Sequence, residues 1–139
     1  MTNMRSMNNA NSSNDIFSFN IEDLALKNQN FIKVMWTGKN MQLTLMSINP
    51  GSSIGLEVHP DTDQILKIEC GTGQVLIGKS KDRLSYQKRV KKGDIIIVPA
   101  GMWHNLINLG RESIKLYSTY GPPAHKSGTI YRTKSDVRE

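Results

Sequence analysis

The segment GDIIIVPAGMWHNLIN, Gly93 to Asn108, decides how the rest of the sequence is read. Its apolar run Ile95 to Val98 is short and β-branched, and it is bounded by Gly93-Asp94 on one side and Pro99-Ala100-Gly101 on the other. That is the punctuation of a strand entering and leaving a turn. Beyond the turn His104, Leu106 and Asn108 fall two apart, so on an extended backbone they share one face. A ligand-type histidine thereby joins the interior of a sheet structure.

The same grammar extends outward from this segment. From Phe31 onward short apolar runs alternate with turn residues at intervals of about 8 to 12 residues. The pattern predicts strands over Phe31 to Trp36, Met41 to Ile48, Ile54 to His59, Gln64 to Glu69, Gln74 to Ile77, Tyr86 to Val90, Asp94 to Val98, Asn105 to Asn108 and Ile114 to Tyr120. Between them lie Gly38-Lys39-Asn40, Asn49-Pro50-Gly51 and Gly71-Thr72-Gly73, which supply the positive or fixed φ that tight turns require. Parallel strands would need long connecting helices. None is visible, so the class is all-β, a sandwich or a barrel. Upstream, Ile21, Leu24 and Ala25 recur at helical spacing behind Asn20, a capping residue, and predict about two turns of helix. Met1 to Asn14 is rich in Asn, Ser and Met and is expected to be disordered. Residues 15–139 are expected to form a single domain, with a tail that turns on Gly121-Pro122-Pro123 and offers Ile130 and Tyr131 for a closing strand or a strand swap.

Composition narrows the classes of function. Eighteen Lys and Arg against twelve Asp and Glu give a net charge of +6, which favours an anionic or polar partner. The densest basic stretch, Lys79 to Lys92, contains Asp82 and a single aromatic, Tyr86. It reads as a solvated hairpin whose lysines deter edge-to-edge aggregation, not as a nucleic-acid surface. The single cysteine, Cys70, cannot form an intramolecular disulfide, and the first residues lack the apolar core of a secretory signal. No apolar run approaches the roughly 20 residues of a membrane span. The expectation is a cytoplasmic protein with no membrane partner.

A second cluster of chemistry-bearing residues precedes the first. Glu57 and His59 are two apart and share a face if their segment is extended, and Gln64 opens the next predicted strand. If Pro60 to Asp63 forms a hairpin turn, Gln64 returns beside His59.

Together these residues resemble the cupin family. In its second motif a glycine, proline, glycine, histidine and asparagine stand at fixed spacing, and Gly93, Pro99, Gly101, His104 and Asn108 fill every position. In the first motif Gly51, His59 and Gly71 match with spacing kept, while Glu57 replaces the usual first histidine and Gln64 the usual glutamate. The resemblance covers most of Met41 to Tyr120. It implies a double-stranded β-helix, the jelly-roll cupin barrel, holding a divalent transition metal (Zn, Mn, Fe, Ni or Co) by Glu57, His59, Gln64 and His104. Gln64 would be the weakest of the four donors. The competing reading is a metal-free barrel in which these side chains only hydrogen-bond.

The layout looks most like the small mannose-6-phosphate isomerase-like cupins. That likeness suggests a metal-dependent isomerase or epimerase acting on a small carbonyl compound, a sugar or sugar phosphate, with the cation polarising the carbonyl. Candidate acid–base groups are Glu57, Tyr117, Tyr120 and His125, the last as a lid residue from the tail. Met102 and Trp103 are candidate substrate-binding residues, since an indole face stacks on apolar sugar faces. Two alternatives stand beside this reading. One is a non-haem Fe(II) oxygenase using Glu57, His59 and His104. The other is a non-catalytic sugar- or metabolite-binding cupin. Sheet edges and the spare termini predict a homodimer.

Overall fold

The computed structural model describes residues 16–138, so Met1 to Asn14, expected to be disordered, lie outside the described residues. Helix α1 spans Ile21–Lys27, and a short 3-10 turn spans Lys134–Asp136. Nine strands form among the described residues: β1 (Ile32–Thr37), β2 (Gln42–Ile48), β3 (Asp63–Cys70), β4 (Thr72–Gly78), β5 (Tyr86–Lys91), β6 (Ile95–Val98), β7 (Trp103–Asn108), β8 (Ile114–Gly121) and β9 (Ile130–Tyr131). They build two antiparallel sheets, ordered β6-β3-β8-β2-β1-β9 and β5-β4-β7. Both sheets contribute to one core, in which Met46, Leu66, Ile68 and Leu116 of the larger sheet meet Val75, Val90 and Leu106 of the smaller. The architecture is the double-stranded β-helix that the motifs implied.

Helix α1 begins where the sequence placed it. The Asn20 side chain accepts a hydrogen bond from the Asp23 amide at 2.9 Å, capping the first turn. Its apolar stripe then covers the outer face of the larger sheet, where Ala25 packs with Met35, Leu45, Leu43 and Tyr117. This second layer explains why β2 is apolar on both faces.

Inside the barrel the register sets residues in rows. Gln42, Tyr120 and Gln64 stand side by side across β2, β8 and β3. The next row is Thr44, Ser118 and Leu66, followed by Met46, Leu116 and Ile68, and then Ile48 with Ile114. All of these are buried. The interior is therefore polar at one end and wholly apolar at the other.

One predicted strand does not form. Residues 54–59 make no ladder; residues 53–59 are tied to β7 by isolated bridges, Ser53 with Ile107 and Glu57 with His104, and by the Ile54 amide, which donates to the Leu106 carbonyl at 3.0 Å. Gly55, at φ +92°, takes a backbone conformation that breaks a regular strand. The predicted hairpin between this segment and Gln64 is absent as well. Residues 53–59 lie along β7 of the smaller sheet, whereas β3 carries Gln64 in the larger sheet between β8 and β6. The turn at Pro60 crosses between sheets. The ninth strand is instead β9, which pairs with β1, so the tail residues Ile130 and Tyr131 close the chain's own sheet.

Candidate metal centre and cavity

Glu57 and His59 come from the extended segment, and His104 comes from β7. The Glu57 and His104 backbones exchange hydrogen bonds of 3.0 and 2.9 Å, which sets their side chains next to each other. The His59 carbonyl accepts from the Gly101 amide at 2.9 Å, tying the segment to the Pro99–Gly101 turn, where Gly101 sits at φ +84°. Glu57 Oε1 lies 3.2 Å from His104 Nε2 and 3.4 Å from His59 Nε2. One ligand-type atom from each of the three residues lies within 4.8 Å of the others.

The donor set fits a cation. His104 Nδ1 lies 3.1 Å from the Met102 carbonyl. A carbonyl only accepts, so this nitrogen carries the proton, and in the neutral ring the Nε2 lone pair points at the Glu57 carboxylate. Two acceptors 3.2 Å apart require a positive charge between or on them, either a second proton or a metal ion. His59 Nε2 is buried and makes no hydrogen bond. Burial, the largest single influence, pushes the Glu57 carboxyl up, but the contacts and charges of His104 and His59 outweigh it and bring the pKa to about 2. Glu57 is thus a fixed anion between two imidazoles. Two histidines and one carboxylate suit Fe(II), Zn and neighbouring divalent ions.

Gln64 sits in the polar row opposite Tyr120, only 2% exposed. Its Nε2 donates to Ser118 Oγ at 2.8 Å, and its Oε1 is buried without a hydrogen-bond partner. Asn108 closes its strand end by donating to the Ile48 and Glu112 carbonyls and accepting from the Gly110 amide.

A cavity of about 320 Å³ opens beside the cluster. Glu57, His59, Tyr120 and His125 supply its polar wall, and Phe31, Ile32, Met46, Ile54, Val58 and Val137 its apolar wall. His104 is buried behind this wall. The Tyr120 ring stands edge-on to His59 at 5.5 Å, and its hydroxyl is 3.2 Å from His125 Nε2.

Three predicted residues lie elsewhere. Tyr117 alternates with Tyr120 along β8 and packs on the outer face beneath α1. Trp103 faces the opposite side of β7 from the buried His104. Met102 lines a separate apolar cavity with Tyr86, Ile95 and Ile97. Neither Trp103 nor Met102 touches the cavity at Glu57, although the Met102 carbonyl orients His104. Sequence reasoning missed Gln42, which is fully buried and binds the backbone of Ala124 and His125. A polar residue opening a strand gave no signal of that role.

Known proteins are similar to this chain. YrkC of Bacillus subtilis (strain 168) is 51% identical over 121 residues, which cover 87% of this chain and 65% of YrkC. The chain therefore spans just under two thirds of that relative. The L612 protein of Acanthamoeba polyphaga mimivirus is 39% identical over 118 residues, 84% of this chain and 72% of L612. The crystal structure of BH2720 from Bacillus halodurans superposes with a TM-score of 0.89 at 44% identity, covering 91% of this chain and 96% of that one. The cupin domain family model matches residues 44–120, more than half of the sequence and both motif regions, and the chain belongs to the cupin domain family.

Proposed function

We propose that this cupin is a metal-dependent enzyme that moves a proton on a small, uncharged carbonyl compound, an isomerase- or epimerase-like reaction. The observation that carries the reading is the convergence of Glu57, His59 and His104, with Glu57 and His59 in the wall of a cavity that also presents Tyr120 and His125 and His104 buried directly behind them. Glu57, His59 and His104 would hold a divalent ion, which would supply Lewis acidity toward a carbonyl oxygen. With Glu57 engaged as a ligand, the acid–base work falls to His125, whose imidazole is within hydrogen-bond distance of the Tyr120 hydroxyl. The apolar wall seats the body of the substrate and excludes water from it.

Charge selects among substrates. Among the described residues no Lys or Arg lines the cavity, so a phosphate would find no lysine or arginine among them to pair with, and an uncharged sugar or ketone fits better than a sugar phosphate. Two histidines and one carboxylate also form the donor set of non-haem Fe(II) oxygenases, and that composition favours an oxygenase as the second reading.

The two readings separate in one experiment. Metal-loaded protein is incubated in D₂O with a panel of small uncharged hydroxyaldehydes and hydroxyketones, and deuterium incorporation is followed by NMR while dissolved oxygen is monitored. Deuterium uptake next to the carbonyl, lost in His125→Gln, is the expected result. Oxygen consumption without exchange would move the assignment to the oxygenase. Neither signal, with tight ligand binding retained, would leave a non-catalytic binding cupin.

A further inference from the structure

A histidine in a loop normally pays a large orientational entropy to act at one place. The loop carrying His125 does not leave it loose. Gln42, the first residue of β2, is 0% exposed, and burying a primary amide is tolerable only when its hydrogen-bonding groups are satisfied. Its Nε2 donates to the His125 carbonyl at 2.7 Å and to Thr37 Oγ1 at 2.9 Å. Its Oε1 accepts from the Ala124 and His125 amides at 3.1 and 2.9 Å. Four bonds use the full capacity of the side chain, and three of the four hold two consecutive residues of the loop. The same Gln42 stands directly opposite Tyr120 in the β2–β8 ladder. Tyr120 in turn meets the tip of the His125 ring, which lies edge-on to it at 5.1 Å.

We propose that Gln42 is a positioning residue whose buried amide fixes the backbone on both sides of His125, so that His125 and Tyr120 form a preset pair in the cavity wall. His125 is then part of the barrel and not a swinging lid. The use of this pair in turnover rests on the catalytic reading above, but the clamp itself does not. An apolar side chain of the same size would fill the space left by Gln42, so its retention as an amide is explained by the bonds to the loop. Thr37 shares the amide through its Oγ1 and provides the internal control.

The test uses full-length Gln42→Met, Gln42→Glu and Thr37→Val, each checked for folding by its amide NMR spectrum. In the wild type the Ala124 and His125 amides are expected to be protected from solvent exchange and the His125 ring to give one sharp set of signals. Gln42→Met should exchange both amides at least about tenfold faster and broaden or shift the ring signals. In Gln42→Glu the buried carboxyl, held protonated beside the His125 carbonyl, keeps both acceptor bonds and one donor bond to the loop and should restore the amide protection, and Thr37→Val should leave His125 unchanged. Metal content should be equal in all four proteins. If the wild type turns over substrate, Gln42→Met should lower kcat by about 10- to 100-fold with KM little changed, and Gln42→Glu should recover part of it. Unchanged His125 exchange and ring signals in Gln42→Met overturn the clamp, whatever the activity. A wild type with no turnover, but with the predicted loss of protection in Gln42→Met, retires the catalytic reading and keeps the clamp. If Gln42→Met does not fold, Gln42→Glu decides: loss of amide protection there, in a folded protein, overturns the proposal.

Discussion

The two ends of the barrel interior are built by the same three strands and differ almost completely in chemistry. Along β2, β8 and β3 the inward rows at one end are Met46, Leu116 and Ile68, then Ile48 with Ile114. At the other end they are Gln42, Tyr120 and Gln64, then Thr44 and Ser118 with Leu66. Alternation alone makes both ends equally good strands. The apolar end removes carbon from water and stabilises the fold, whereas each buried polar group at the other end must first recover the cost of its dehydration through hydrogen bonds. A protein that needed only stability would carry leucines throughout. The cluster of Glu57, His59 and His104 lies beside Tyr120 at the polar end, with its cavity reaching as far as Met46, and this accounts for the departure.

The sharpest contrast comes from cutting into the apolar end. Leu116→Ala should cost about 2 to 5 kcal/mol, since Leu116 is 0% exposed in a close-packed core. Denaturant unfolding reads that loss, while metal content per folded molecule should stay at the wild-type level. Equal damage to metal binding would mean that the two ends are not separable.

Acid probes the polar end. Glu57 has its carboxyl lowered from 4.5 in the free side chain to about 2. A depressed carboxyl contributes stability that is fully present above about pH 4.5, declines as pH falls, and is gone below about pH 2. In metal-free protein, stability measured from pH 5 downward should therefore fall more steeply in the wild type than in Glu57→Gln. Parallel curves would show that the carboxylate gains nothing from the two imidazoles.

The smallest expected effect is at Gln64. Gln64→Leu removes a bond to Ser118 Oγ but also an acceptor with no hydrogen-bond partner. The net change in stability should stay within about 1 kcal/mol. Metal stoichiometry measured on the same variant should be retained if Glu57, His59 and His104 suffice. Loss of metal would make the Gln64 carbonyl a working ligand.

Much of this was legible in the sequence, for physical reasons that also mark where reading failed. The turn Pro99-Ala100-Gly101 and the two-residue period from His104 to Asn108 fixed the strand, its inward face and the second motif together. Glu57 and His59 were paired by the same period, although their segment is held by bridges to β7 and not by a ladder. Gly55 was the visible warning against a strand there. Tyr117 and Tyr120 were named together, yet positions three apart cannot share a strand face. Ile114, Leu116 and Ser118 already put Tyr120 inside and Tyr117 out. The Gln64 hairpin failed because a four-residue turn reads the same whether it joins neighbours or crosses between sheets. Gln42 was invisible because its partners, Ala124 and His125, lie more than eighty residues away, and nothing local reports a long-range amide clamp.

The central claim is that Glu57, His59 and His104 hold a metal ion at the polar end. It is tested most directly by inductively coupled plasma mass spectrometry of untagged protein purified without chelators, measured beside His59→Ala and His104→Ala. The account predicts close to one divalent transition metal per chain in the wild type and a loss of about tenfold or more in each folded variant. Wild-type protein that stays empty after reconstitution with Mn, Fe, Co, Ni and Zn, or variants that retain the metal, would contradict it.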